Sequence, residues 1–228
     1  MSHRIKWYSV TGIKKIPIES IVAQMSEAKY NSNKPSGFSI RNANRNSVSG
    51  EYIERFEVTE SIENPLGGEP FKYKQMRFKR TQFSITNTPL PLELENPAAG
   101  VSELLNLLAQ FMEFNVAITN IEADVEKWMA EILKRVEGGI VDRMRISHIQ
   151  MSDLANATAI ISGEEDVRQY AAKFSKKKFR IDLMRIASEQ GRYEISRTGS
   201  MASEEYISDA SRKIAKDSLI NLLPLADT

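Results

Sequence analysis

Residues 52–87 read YIERFEVTESIENPLGGEPFKYKQMRFKRTQFSITN. Two runs rich in β-branched and aromatic residues, 52–62 and 71–87, flank NPLGGEP at 64–70. Asn, Pro and paired Gly between such runs are the signature of a turn that closes an antiparallel hairpin. Pro89 and Pro91 end the second strand, because proline has no N–H to donate to a ladder.

Working outward, residues 5–13 (IKWYSVTGI) read as a strand. Pro17 suits the first turn of a helix, and Ile18, Ile21, Val22 and Met25 keep helical spacing. Residues 31–50 hold five Asn, five Ser, two Gly and one Pro, a composition that predicts a long polar loop or arm. A helix apolar on most sides follows around Leu104, Leu108 and Phe111, then a short strand over 116–121. Val125, Trp128, Met129, Ile132, Leu133 and Val136 form the apolar stripe of an amphipathic helix that Gly138 and Gly139 stop.

Strands are expected over 141–151 and 157–162, a helix over 164–176, a second hairpin from 178–187 and 191–197, and a terminal helix over 204–223. Met144, Ile146 and His148 alternate with Arg143, Arg145 and Ser147. The pattern predicts an α+β fold: antiparallel sheet with helices packed on one face, in one or two α+β layers. Residues 1–138 would form an N-terminal unit with the basic hairpin and the polar loop 31–50. Residues 139–228 would form a C-terminal unit, and the two can merge into one domain.

Charge is segregated along the chain. The formal net charge is +1, yet residues 1–90 hold 14 bases and 8 acids, residues 91–172 hold 6 and 14, and residues 173–228 hold 11 and 8. Three stretches contain no acid. Lys29, Lys34, Arg41 and Arg45 lie between Glu27 and Glu51. Lys72, Lys74, Arg77, Lys79 and Arg80 lie between Glu69 and Glu93. Arg168, Lys173, Lys176, Lys177, Lys178 and Arg180 lie between Asp166 and Asp182. Segregated positive charge points to an anionic partner.

Chemistry-bearing motifs are few. The absence of cysteine excludes disulfides, thiolate nucleophiles and Cys-based zinc sites. No phosphate-loop or dinucleotide-binding glycine motif occurs, and no G-x-S-x-G elbow. His3 falls in an expected mobile terminus, and His148 reads as a buried structural histidine. No cofactor or metal site is expected. The expected compartment is the cytoplasm: no secretory h-region stands in residues 1–10, and no apolar run nears the roughly 20 residues needed to cross a bilayer.

The residues therefore favour a non-enzymatic protein that binds DNA or RNA, or an accessory subunit of a nucleic-acid-processing complex. Lys72, Lys74, Arg77, Lys79, Arg80, Lys176, Lys177, Lys178 and Arg180 would meet phosphates, Arg41 and Arg45 would form an arm, and Tyr73 and Phe78 would stack on bases. One alternative is an interaction subunit or homo-oligomer in which acidic and basic segments dock. Another is a metal-dependent nuclease using Asp182 or the hairpin glutamates Glu51, Glu57 or Glu69.

Overall fold

The computed structural model describes residues 3–12, 16–98, 100–152, 154–171 and 179–223. Its elements run β1 (His3–Thr11), α1 (Ile18–Glu27), β2 (Ser36–Asn44), β3 (Ser47–Ile62), β4 (Phe71–Thr86), β5 (Leu92–Glu95), α2 (Ser102–Phe111) and β6 (Ala117–Asn120). They continue α3 (Val125–Leu133), β7 (Ile140–Ser152), β8 (Ala155–Ser162), α4 (Arg168–Ala171), β9 (Arg180–Ser188), β10 (Gly191–Ser196), β11 (Ser200–Ser203) and α5 (Asp209–Ile220).

All eleven strands join one sheet, in the order β2-β3-β4-β5-β1-β11-β10-β9-β7-β8, with β6 also on β1. Every named pairing is antiparallel. The chain is thus a mixed α+β protein dominated by antiparallel sheet. Among the described residues no helix is long and apolar enough to cross a membrane.

β1 is the hinge of the arrangement. Ile5 and Trp7 enter a core with α3 and α5, whereas Tyr8 enters a second core with α1 and α2. Successive strand residues point to opposite faces, so the two cores lie on opposite faces of the sheet where they meet. The register agrees: Tyr8 lies opposite apolar Leu92, and Trp7 opposite Glu93. A single helical layer does not describe this fold. Each half of the sheet leaves one face open, and the two open faces are on opposite sides.

Three expectations about local structure change. Residues 31–50 contain a strand, β2, paired along β3 from Ser36 with Glu54 to Asn44 with Ser47. Asn44 turns the chain by accepting from the N–H groups of Asn46 and Ser47. His3 is buried rather than mobile: its Nδ1 accepts from the Ile207 N–H at 2.9 Å and its Nε2 meets Glu95 at 2.8 Å. His148, conversely, is exposed. It sits at φ 55° where the β7–β8 register slips between Ile146 and Ile149, so it leaves the alternation that would have buried it.

Candidate nucleic-acid interface

The register of the C-terminal half aligns side chains into rows across five strands. Met144, Met184, Ile195, Met201 and Ile5 lie opposite one another in sequence of strands, and all are buried under α3 and α5. The rows on either side of it face the other way. One runs Arg143, Arg185, Glu194, Ala202, Arg4. The next runs Arg145, Leu183, Ser196, Ser200, Lys6. Period-two alternation therefore places apolar residues beneath the sheet and cations above it.

This open face is a cleft of about 1030 Å³ lined by seven arginines, which are Arg4, Arg143, Arg145, Arg180, Arg185, Arg192 and Arg197. Four carboxylates also line it, those of Asp182, Glu194, Glu204 and Glu205. Small residues form the floor. The hydroxyl of Ser196 meets Thr198 at 3.0 Å and Ser200 at 2.7 Å. Larger cationic side chains stand around them.

Some of these arginines are held and others are not. Asp142, buried beneath the face, takes both nitrogens of a forked Arg185 contact at 2.8 and 3.0 Å, and its other neighbour is Arg192 at 3.7 Å. The contact pushes the Arg185 pKa up, although burial opposes the shift. Asp182 pairs with Arg180 at 2.8 Å. Burial alone would raise its pKa, but the Ser147 hydroxyl, Arg180 and Arg145 together hold its carboxyl below the usual range. Arg197 reaches Glu122 at 3.3 Å. Among the described residues, Arg4, Arg143 and Arg145 have no carboxylate within ion-pair distance. The adjoining Lys6 ammonium titrates low, first through burial and then through the charge of Arg4.

The basic strand behaves differently. β2 pairs with β3 no further than Glu54, and β5 pairs with β4 only from Gln82 onward. The eight cross-strand pairs from Arg55 with Phe78 to Ile62 with Phe71 therefore project as a two-stranded arm. At about 3.4 Å per residue it is roughly 27 Å long. Alternation puts Lys72, Lys74 and Arg80 on one face of the arm and Arg77 and Lys79 on the other. Glutamates of β3 meet them: Glu57 pairs with Lys74 at 2.7 Å, and Glu60 with Arg77. Residues 54–80 hold six bases against five acids. Tyr73 donates to Glu60, and Phe78 points from the opposite face, so the two aromatic rings do not form one platform.

The remaining expected contacts scatter. Arg41 lies on β2 and pairs with Glu51, and Arg45 is in the following turn. Lys176, Lys177 and Lys178 lie outside the described residues. Arg180 alone of the expected set lines the arginine cleft. Nor do the four candidate carboxylates converge: Asp182 lines the cleft, Glu57 and Glu69 belong to the arm, and Glu51 lies at its base. Among the described residues no three His, Asp or Glu are grouped to hold a metal.

The missed arginines carried a signal. Arg143 and Arg145 alternate with Met144 and Ile146, which marks them as the outer face of a buried strand. They escape a search for acid-free runs because Asp142, Asp182 and Glu194 stand near in sequence. No protein-family model matches the chain, and no curated protein does.

Proposed function

We propose that this is a nucleic-acid-binding protein that holds the phosphate backbone on the arginine face of β1, β11, β10, β9 and β7. The observation that supports it most is the open cleft with seven arginines, three of them without a carboxylate partner among the described residues. Guanidinium groups match phosphate geometry through paired N–H donors, and each keeps its charge at any ordinary pH.

The buried Asp142 gives Arg185 a fixed orientation while using only part of its donor set. Seven cations against four carboxylates leave the cleft an excess positive charge. The floor of Ser196, Ser200 and Ala202 offers no exposed aromatic ring on which a base could stack. Recognition is accordingly of backbone rather than sequence. The role is that of a non-enzymatic subunit or accessory factor acting in the cytoplasm.

Fluorescence anisotropy with labelled single-stranded and duplex DNA and RNA tests it. Binding weakens as salt rises, and a plot of log K against log salt is linear, with a slope near −0.7 to −0.9 per phosphate neutralised. Four or more contacts give a slope of about −3 or steeper. Absence of binding to all four probes at about 50 mM salt overturns the proposal.

A further inference from the structure

We propose that the free edge of β8 is a docking site for an extended peptide segment of a partner protein, one in which acidic and apolar residues alternate. The segment joins the sheet beside β8 as a further strand, held by main-chain hydrogen bonds. It runs antiparallel to β8, as in every named pairing of this sheet.

β8 closes one end of the sheet and, among the described residues, pairs with β7 alone. Its sequence, ANATAIIS at 155–162, holds no charge, no proline and no glycine. Sheet edges are ordinarily guarded by charge, bulges or covering segments, because a bare edge accepts a new strand. The opposite end of the sheet has all three. Residues 28–30 cover β2: the Tyr30 N–H donates to the Phe38 carbonyl at 2.9 Å, and the Phe38 N–H to the Ala28 carbonyl at 3.0 Å. Beyond them β2 slips register at charged Arg41. β8 itself is regular, since the extra residues at both of its register slips belong to β7.

The ladder leaves a definite set of backbone groups over. The Gly163 N–H donates to the Asp142 carbonyl at 3.0 Å, so Gly163 faces β7. Alternate residues of an antiparallel strand turn N–H and C=O to the same neighbour. Ile161, Ala159 and Ala157 therefore turn theirs to β7, and Ser162, Ile160, Thr158 and Asn156 turn theirs outward.

Side chains select the occupant. Register puts Ser162 beside Arg143 and Ile160 beside Arg145, on the open face. A strand added at β8 lies two strand spacings from those arginines, about 10 Å, within the combined reach of an arginine and a glutamate. Neither arginine pairs with a carboxylate among the described residues. Acids on that side of the segment meet them. On the other face Ala157, Ala159 and Ile161 pack against the core yet are only partly buried, whereas Met144, Ile146 and Ile149 of β7 are at most 2% exposed. Apolar residues on that side of the segment extend the core over this margin. Period-two alternation turns the two demands into one pattern, acid then apolar. The β8 of a second copy is a poorer occupant, because it is uncharged and leaves both arginines unmatched.

Fluorescence anisotropy of the full chain with a labelled peptide of four Glu–Val repeats, matched to the eight residues of β8, tests this. The peptide is expected to bind with a dissociation constant below about 0.5 mM, and a Lys–Val peptide of equal length at least about tenfold more weakly. Thr158→Pro removes an outward N–H and spares the ladder to β7. It is expected to weaken the Glu–Val peptide at least about tenfold, with the circular dichroism of wild type. Two modified peptides read the pairing on the wild-type chain alone. Residues opposite Ser162 and Ile160 turn their amides to β8, and these are the acids. N-methylation of every glutamate is therefore expected to cost about tenfold or more, and N-methylation of every valine little. Four results each overturn the proposal: no binding of the Glu–Val peptide at about 1 mM, equal binding of the Lys–Val peptide, binding indifferent to Thr158→Pro or to methylation of the glutamates, or sedimentation in which wild type dimerises and Thr158→Pro does not.

Discussion

Glu93 is 4% exposed and is the most heavily partnered carboxylate of the chain among the described residues. It accepts from Trp7 Nε1 and pairs with Arg212 and, at 3.5 Å, Lys216. Burial pushes the pKa values of both cations down, and Arg212 pushes that of Lys216 down further. Glu93→Gln leaves two cations beside a neutral amide, and urea denaturation should show a loss of about 3 kcal/mol. Affinity for nucleic acid should not change, because Glu93 lies on the other face of the sheet. Tyr193 presents the reverse case: its hydroxyl is buried without a partner among the described residues, and burial pushes its pKa up to about 12. Tyr193→Phe should therefore leave stability unchanged or raise it by about 1 kcal/mol, in contrast to the loss typical of core substitutions. Asp166 accepts from Arg168 at 2.7 and 2.9 Å, and this contact holds its carboxyl below the ordinary value despite the opposing effect of burial. A depressed folded-state pKa gives stability that is present above the unfolded value, about 3.9, and is lost as pH falls through the folded one. The thermal midpoint of wild type should exceed that of Asp166→Asn at neutral pH, and the gap should close with acidification below about pH 4.

Elements differ in how much of them can be read along the chain. The β3–β4 and β9–β10 hairpins are legible because turn residues bracket β-rich runs, and α3 because its stripe is regular. β2 is not, since Phe38 and Ile40 are its only large apolar residues and the rest are Asn, Ser, Arg, Gly and Ala. Its strand character comes from pairing with β3 rather than from propensity. The pairing is close enough to need a glycine. Register slips past Arg41, and a Cβ on Gly50 would lie 2.3 Å from the Ser39 carbonyl oxygen. Gly50→Ala should cost about 2 kcal/mol in the same denaturation assay, and a stability equal to wild type would show that β2 yields without penalty. β5 and β11, four residues each, also escape a reading of the sequence. Both are too short to show a period, and their place depends on β1 lying between them.

Across the whole molecule, the charge pattern of the chain is a poor map of the charge pattern of the surface. Lys72 to Arg80 holds five bases in nine residues, yet strand alternation divides it between two faces, and β3 supplies glutamates to both. The arginine cleft draws on β1, β7, β9, β10 and the turn after β10, and no run of the sequence announces it. Only the register that brings Arg4 into line with Ala202, Glu194, Arg185 and Arg143 assembles the row. The measurement that bears most directly on the proposed function compares two double substitutions in one binding titration: Arg143→Ala with Arg145→Ala on the cleft, and Lys72→Ala with Lys74→Ala on the arm. The cleft pair is expected to weaken nucleic-acid binding by about tenfold or more and to flatten the salt slope by about 2, with the arm pair near wild type. Loss of binding with the arm pair, and none with the cleft pair, would contradict the assignment of the phosphate site to the arginine face.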